Sequence, residues 1–205
     1  KLSLINSIKF KEDSKPISVG FDENSIFVVD LTQYRVNIYN KSTLEYVDYF
    51  PKTVLGNDDW LAAPTNIAIS NNKIYVTDLG QANVKVFSKD GTYLNTVGSL
   101  GQQLGQFVRP KGIDIDKDEN LYVVDGAFNN VQIFNKEGQL LMFFGGVDTE
   151  RGSMNLPTQI QVDYTSVDFF KKYVHPNYDL EYLILVANQY GKDKISVYGK
   201  IKLKK

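Results

Sequence analysis

Apolar and polar residues alternate along most of this chain in short runs, separated by clusters of Gly, Asn, Asp and Pro. The stretch "GIDIDKDENLYVVDGAFNNVQIFNKEGQLLMFFG", Gly112–Gly145, shows the pattern most clearly. Alternation with a period of two places successive side chains on opposite faces of a β-strand. Val, Ile, Tyr and Phe suit such a pleated, half-buried surface. The clusters "KDEN" and "NKEG" carry Asp, Asn and Gly, which supply the side-chain bonds and positive φ values that tight turns need. The pattern therefore predicts four short strands joined by turns within this one stretch.

The same grammar recurs along the chain. Units opening at Lys15, Ala63, Arg109 and Leu156 align with one another, and their prolines Pro16, Pro64, Pro110 and Pro157 fall at steps of 48, 46 and 47 residues. The second strand of each unit ends in an aspartate, Asp30, Asp78 and Asp125, at steps of 48 and 47, and Asn188 takes that place 63 residues further on. Repeats of this length with four antiparallel strands are the blades of a β-propeller, each burying its apolar faces only against its neighbours. The expected fold is all-β, a single propeller domain of four-stranded antiparallel blades at about residues 15–50, 51–97, 98–145 and 146–205. The opening "KLSLINSIKF" reads as a lone strand that completes the last blade beside "KISVYGKIK", Lys194–Lys202. An insertion in the fourth unit should form a short helix. Thr165 or Ser166 would cap it, Val167, Phe170 and Val174 would share a face, and Pro176 would stop it.

The stretch "GQFVRPKGIDIDKDENLYVVDGAFNNVQIFNKEGQLLMFFG" resembles the NHL repeat. That repeat runs Gly-x-Phe-x-x-Pro, an apolar strand, an Asp-Gly-Asn-like turn, a strand ending in Asp, and an Asn/Arg-Val-x-Val-Phe strand. The third unit, Gly105–Gly145, carries the pattern most completely, and the second follows it well. The first lacks the Gly-x-Phe lead-in, and the fourth departs through its insertion and Asn188. The resemblance implies a propeller usually of six blades, whereas four are visible here, so the chain is either a smaller ring or part of a larger one. The fourth unit also resembles secreted or periplasmic propellers found with bacterial multihaem cytochromes, which implies a periplasmic or extracellular location with a signal peptide removed.

Composition narrows the chemistry. Lys and Arg number 23 against 24 Asp and Glu, so no general basic surface exists for nucleic acid. No apolar run approaches the roughly 18 residues needed to span a bilayer. The absence of cysteine excludes disulfides, thiol catalysis and thiolate metal sites within these residues. His175, the only histidine, precedes a proline in a loop, so the multi-histidine zinc centre of NHL-like amidating lyases cannot be built from this chain. "DIDKDEN" has oxygen ligands at alternate positions but lacks the Gly and Glu of a calcium loop, and turn chemistry accounts for it. The glycines of "GSLGQQLGQF" lack the Lys-Ser/Thr of a phosphate loop.

Recurrence once per unit assigns Asp30, Asp78, Asp125 and Asn188 to turn architecture, not to catalysis. The loops at their end of the blades collect Asp58, Asp59, Trp60, Arg109, Lys111, Phe128, Asn129, Arg151, Gln159, Gln189 and Tyr190. Trp, Tyr and Arg are favoured interface anchors, so this face is the expected partner-binding surface. The function expected is a non-enzymatic interaction or scaffold module whose protein partner is a multihaem cytochrome or another secreted assembly. The alternative is a calcium-dependent hydrolase or lyase with the ion at the channel mouth, held by acidic and amide side chains.

Overall fold

A computed structural model describes residues 2–53, 55–147 and 152–204. The chain divides into two compact units, Lys1–Leu100 and Gly101–Lys205.

The first unit holds two four-stranded sheets. One runs β1 (Pro16–Phe21), β2 (Ser25–Asp30), β3 (Arg35–Asn40), β4 (Tyr46–Phe50), and the other β5 (Pro64–Ser70), β6 (Lys73–Asp78), β7 (Asn83–Ser88), β8 (Tyr93–Val97). Every strand pairs antiparallel with the next in sequence. Residues from the two sheets, with Leu61 from the loop before β5, meet in a core of Phe27, Val29, Val36, Phe50, Leu61, Ile74, Val76 and Phe87. Phe50 and Phe87 pack with their rings tilted by 52° and centroids 4.8 Å apart. The turn before β8 needs its glycine: Gly91 has φ +85°, and a Cβ there would lie 2.6 Å from Phe50 Cβ.

The second unit has one four-stranded sheet, β9 (Pro110–Ile115), β10 (Leu121–Asp125), β11 (Asn130–Phe134), β12 (Leu140–Gly145). Its second sheet has three strands, β13 (Pro157–Asp163), β14 (Tyr178–Asn188) and β15 (Ile195–Leu203). Their shared core contains Tyr122, Val124, Val131, Met154, Ile160, Tyr182 and Val186.

Two expectations are corrected here. Residues 2–10 form no strand, and β15 pairs with β14 alone among the described residues. Leu2, Leu4 and Ile5 are almost wholly exposed, so the start of that segment lacks packing that would hold it extended. The insertion does form α1 (Val167–Phe170), followed by a 3₁₀ turn (Lys171–Tyr173), but neither Thr165 nor Ser166 caps it. Both instead donate to Asp163 at the end of β13: Thr165 N–H at 2.7 Å, its hydroxyl at 2.6 Å and Ser166 N–H at 3.2 Å.

The repeated aspartates are wholly buried and act as clamps. Asp78 accepts from Ala62 N–H (2.6 Å) and Ala63 N–H (2.8 Å) before β5, and from Gly80 and Gln81 N–H (2.9 and 3.2 Å) after β6. Asp125 accepts from Val108 N–H (2.8 Å) and Arg109 N–H (3.3 Å), and from Ala127 and Phe128 N–H (2.8 and 3.2 Å). Asp30 binds the Ser14 hydroxyl, Lys15 N–H (3.1 Å), Thr32 N–H (3.1 Å) and Gln33 N–H (3.2 Å). Each carboxylate thus ties the segment entering the first strand to the turn leaving the second. Asn188 does half of this, because an amide has one acceptor oxygen. Its Oδ1 accepts from Asn155 N–H at 3.1 Å, while its Nδ2 donates to Asp193 O and Ser196 Oγ. The remaining donor, Leu156 N–H, goes to Asn129 Oδ1 at 2.6 Å.

Removing a clamp would orphan several buried donors at once, so Asp125→Ala should cost roughly 3 kcal/mol and lower Tm by roughly 10 °C. Calorimetry showing an unchanged Tm would refute the clamp role. Burial alone would raise the Asp30 carboxyl, but the bonds from Ser14, Lys15, Thr32 and Gln33 outweigh it and hold it below the ordinary 3.8. Its stabilisation is therefore present above that value and lost as pH falls through the lower folded one. The Tm gap between wild type and Asp30→Asn should accordingly be narrower at about pH 3 than at about pH 5.

Candidate functional site

The clamps and the expected binding face occupy the same end of the blades. In the second unit, Arg109 precedes β9 and Lys111 is its second residue, while Phe128 and Asn129 lie between β10 and β11. Gln159 is the third residue of β13, and Gln189 and Tyr190 follow β14. Their backbones are pinned. Arg109 and Phe128 N–H are held by Asp125, and Gly126 N–H reaches Arg109 O at 2.9 Å. Gln189 and Tyr190 N–H donate to Leu156 O and Asn155 O at 3.1 and 3.2 Å. The side chains face outward: Arg109, Gln159, Gln189 and Tyr190 are exposed, and Lys111 and Phe128 are half-buried.

Two glycines permit the side chains to converge. A Cβ on Gly112 would lie 2.6 Å from Gln159 Cα and 2.9 Å from its Oε1, so β9 and β13 approach closely there. A Cβ on Gly126 would sit 3.4 Å from Lys111 Cε and 3.5 Å from Arg109 Cδ, so these two cationic chains flank a bare stretch of backbone. Burial first, and the Arg109 charge second, depress the Lys111 amine below its ordinary value. This gives a cationic patch with an amide and an aromatic ring on the same end, suited to carboxylates and other hydrogen-bond acceptors.

Asn129 is less a free contact residue than expected. It sits at φ +54° and spends its side-chain oxygen on Leu156 N–H, which makes it part of the frame. Arg151 lies outside the described residues. Trp60 belongs to the first unit with Asp58 and Asp59, and it is half-buried where an exposed anchor was expected. The loop carrying it is held by Gln81 Nε2 on Trp60 O (2.6 Å) and by Lys85 Nζ on Asp58 O (2.5 Å). Lys85 is a buried cation that alternation alone could not flag. Burial lowers its amine, opposed by the charges of Asp78, Asp58 and Asp59. Gln132 plays the same part in the second unit, accepting from Gly105 N–H and donating to Gln106 O, both at 2.8 Å.

A second polar cluster was also missed. Buried Asp116 accepts from Asn120 N–H and Nδ2 (2.8 Å each) and from the Tyr122 and Tyr182 hydroxyls (3.1 Å each), which are 2.6 Å apart. Burial raises both phenols, so they remain neutral donors. Within "DIDKDEN", Asp116 is thus the turn acid, and protein donors occupy it.

A family model described as a 6-bladed beta-propeller, DUF5128, matches residues 17–142, more than half of the chain. The chain belongs to this family. Solved propellers are similar to it in fold. A Bacteroides thetaiotaomicron protein of unknown function has 20% identity and a TM-score of 0.64, with 90% of this chain covering 47% of that one. A chain of a nidogen/laminin complex has 18% identity and a TM-score of 0.61, covering 86% and 57%. A chain of Kuenenia stuttgartiensis hydrazine synthase has 12% identity and a TM-score of 0.61, covering 98% and 53%. This DUF5128 chain therefore spans about half the length of these matches. Comparison with curated proteins gave no match.

If Arg109 contributes to the depressed Lys111 amine, Arg109→Ala should move the Lys111 titration upward while leaving it below the ordinary lysine value, because burial is the larger cause. NMR of ¹³C-methylated lysines against pH reads this directly. No movement would mean that the two side chains do not share a patch.

Proposed function

We propose that this chain is a non-enzymatic, NHL-type propeller module that docks a protein partner on the clamped end of its blades. One observation carries the reading: Arg109, Gln189 and Tyr190 have backbone N–H groups fixed by hydrogen bonds and side chains that face solvent. Rigid presentation lowers the entropic cost of ordering an interface on binding. Arg109, Lys111, Gln159, Gln189 and Tyr190 form the proposed docking surface, with Phe128 as an apolar contact beside it. Trp60 makes a separate contact from the first unit.

The cationic pair suits a partner that offers carboxylates. We place the interaction in the periplasm or outside the cell, in an assembly such as one containing a multihaem cytochrome. The family resemblance of the fourth unit supports that setting. A fold shared with a chain of the nidogen/laminin complex supports protein docking more generally.

Photo-crosslinking residues placed at Lys111 and at Tyr190 should capture the same partner in the source organism. A crosslinker at Lys136, in the turn between β11 and β12, should capture none. Charge reversal of Arg109 and Lys111 should abolish capture at Tyr190 without altering Tm. Equal crosslinking at all three positions would remove this face from the function.

A further inference from the structure

The clamped end of the second unit carries apolar side chains that packing leaves uncovered. Leu104 is 63% exposed, Val108 is 39% exposed and Phe128 is half-buried. Leu104 lies in the loop before β9, and that loop is tightly built. Gln106 N–H donates to Gln103 O at 3.0 Å, and Gly105 takes φ +83°, the positive φ that a type II turn requires at its third residue. Leu104 is therefore at the tip of a turn. From β11, Gln132 accepts from Gly105 N–H and donates to Gln106 O, both at 2.8 Å. Gly101 N–H closes the loop on Phe107 O at 3.0 Å, and the buried Phe107 ring lies 5.6 Å from that of Phe134. A leucine on a turn this constrained has little freedom left to lose on binding.

The apolar positions lead directly into the cationic ones. Val108 and Phe128 N–H bind the same carboxylate, Asp125, at 2.8 and 3.2 Å. Arg109 follows Val108, and with Lys111 it flanks Gly126. The described residues of the loops before β9, between β10 and β11 and before β13 (101–109, 126–129 and 152–156) contain no Asp or Glu. No ion pair among the described residues involves Arg109. The charge that acts on the Lys111 amine is a second cation, Arg109. Exposed leucine and valine thus border a positive surface. Apolar contact supplies area, and the charge selects which segment can use it.

We propose that this face takes a segment of the protein partner in which a carboxylate side chain stands close to a large apolar one. The carboxylate sits on Arg109 and Lys111, and the apolar side chain sits on Leu104 and Val108, with Phe128 beside them. This chemistry presupposes the docking face proposed above and adds what that face reads. An acidic segment without an apolar residue leaves Leu104 in water, and an apolar segment without an acid leaves the cations without their counter-charge.

An array of short immobilised peptides, permuting glutamate against glutamine and leucine against serine at varied spacing, tests both halves when probed with the labelled chain. Peptides holding glutamate and leucine should be retained roughly tenfold or more above their glutamine or serine counterparts. Leu104→Ser should erase the leucine preference and keep the glutamate preference, and Arg109→Gln should do the reverse. Both side chains are exposed, so neither change should move Tm. Added salt should weaken the glutamate preference and spare the leucine preference. No retention, glutamine retained as well as glutamate, serine retained as well as leucine, or one substitution erasing both preferences would each overturn the proposal. Crosslinking capture at Lys111 and Tyr190 with no glutamate preference on the array would overturn this chemistry and leave the docking face standing. Neither capture nor retention would remove both.

Discussion

Everything at one end of these sheets depends on a buried carboxylate accepting backbone N–H groups from two directions. Asp78 and Asp125 each bind the two residues before the first strand and the turn after the second. A buried charge is tolerable because every face of it meets a donor. The first strand of each sheet has few partners of its own at that point, since its register shifts where the proline pairs with the clamp residue. The carboxylate supplies the bonds that the ladder interrupts there.

Such a clamp is legible in sequence because it repeats. Three aspartates at nearly equal steps, each ending an apolar run and each paired to a proline some 15 residues earlier, require a common structural cause. Strand count and order in the first three sheets follow from alternation and turn residues for the same reason. What alternation could not reveal is which inward positions carry polar side chains with a partner. Asn37, Lys85 and Gln132 occupy one position of the repeat, and all three are buried. Lys85 and Gln132 reach the loop that leads into their own sheet, whereas the shorter Asn37 leaves its Oδ1 without a partner among the described residues. Only three-dimensional reach distinguishes a satisfied buried lysine from a misplaced one.

The segment before Pro16 shows a second limit. Its alternation was readable, but alternation only permits a strand, and residues 2–10 form none. Trp60 and Asn129 show a third. Residue type marks an anchor candidate, yet a half-buried ring and an amide whose oxygen is already occupied contribute less to a docking surface than exposed Arg109 and Tyr190. The proposed docking face is therefore smaller than its loop composition suggests, and it is centred on exposed Arg109 and Tyr190.

The division of labour between Asn188 and Asn129 has an evolutionary consequence. Where the other units use one carboxylate to hold two amides, this one splits the task between side chains 59 positions apart, on neighbouring sheets. Neither position can drift alone: a carboxylate at 188 would face Asp193 O, which the amide now donates to, and an apolar residue at 129 would strand Leu156 N–H. Loops on this scaffold are usually pictured as independently variable. Here the loop that carries Phe128 is tied to the next blade by a hydrogen bond, so Phe128 can change independently only while its neighbour Asn129 is kept.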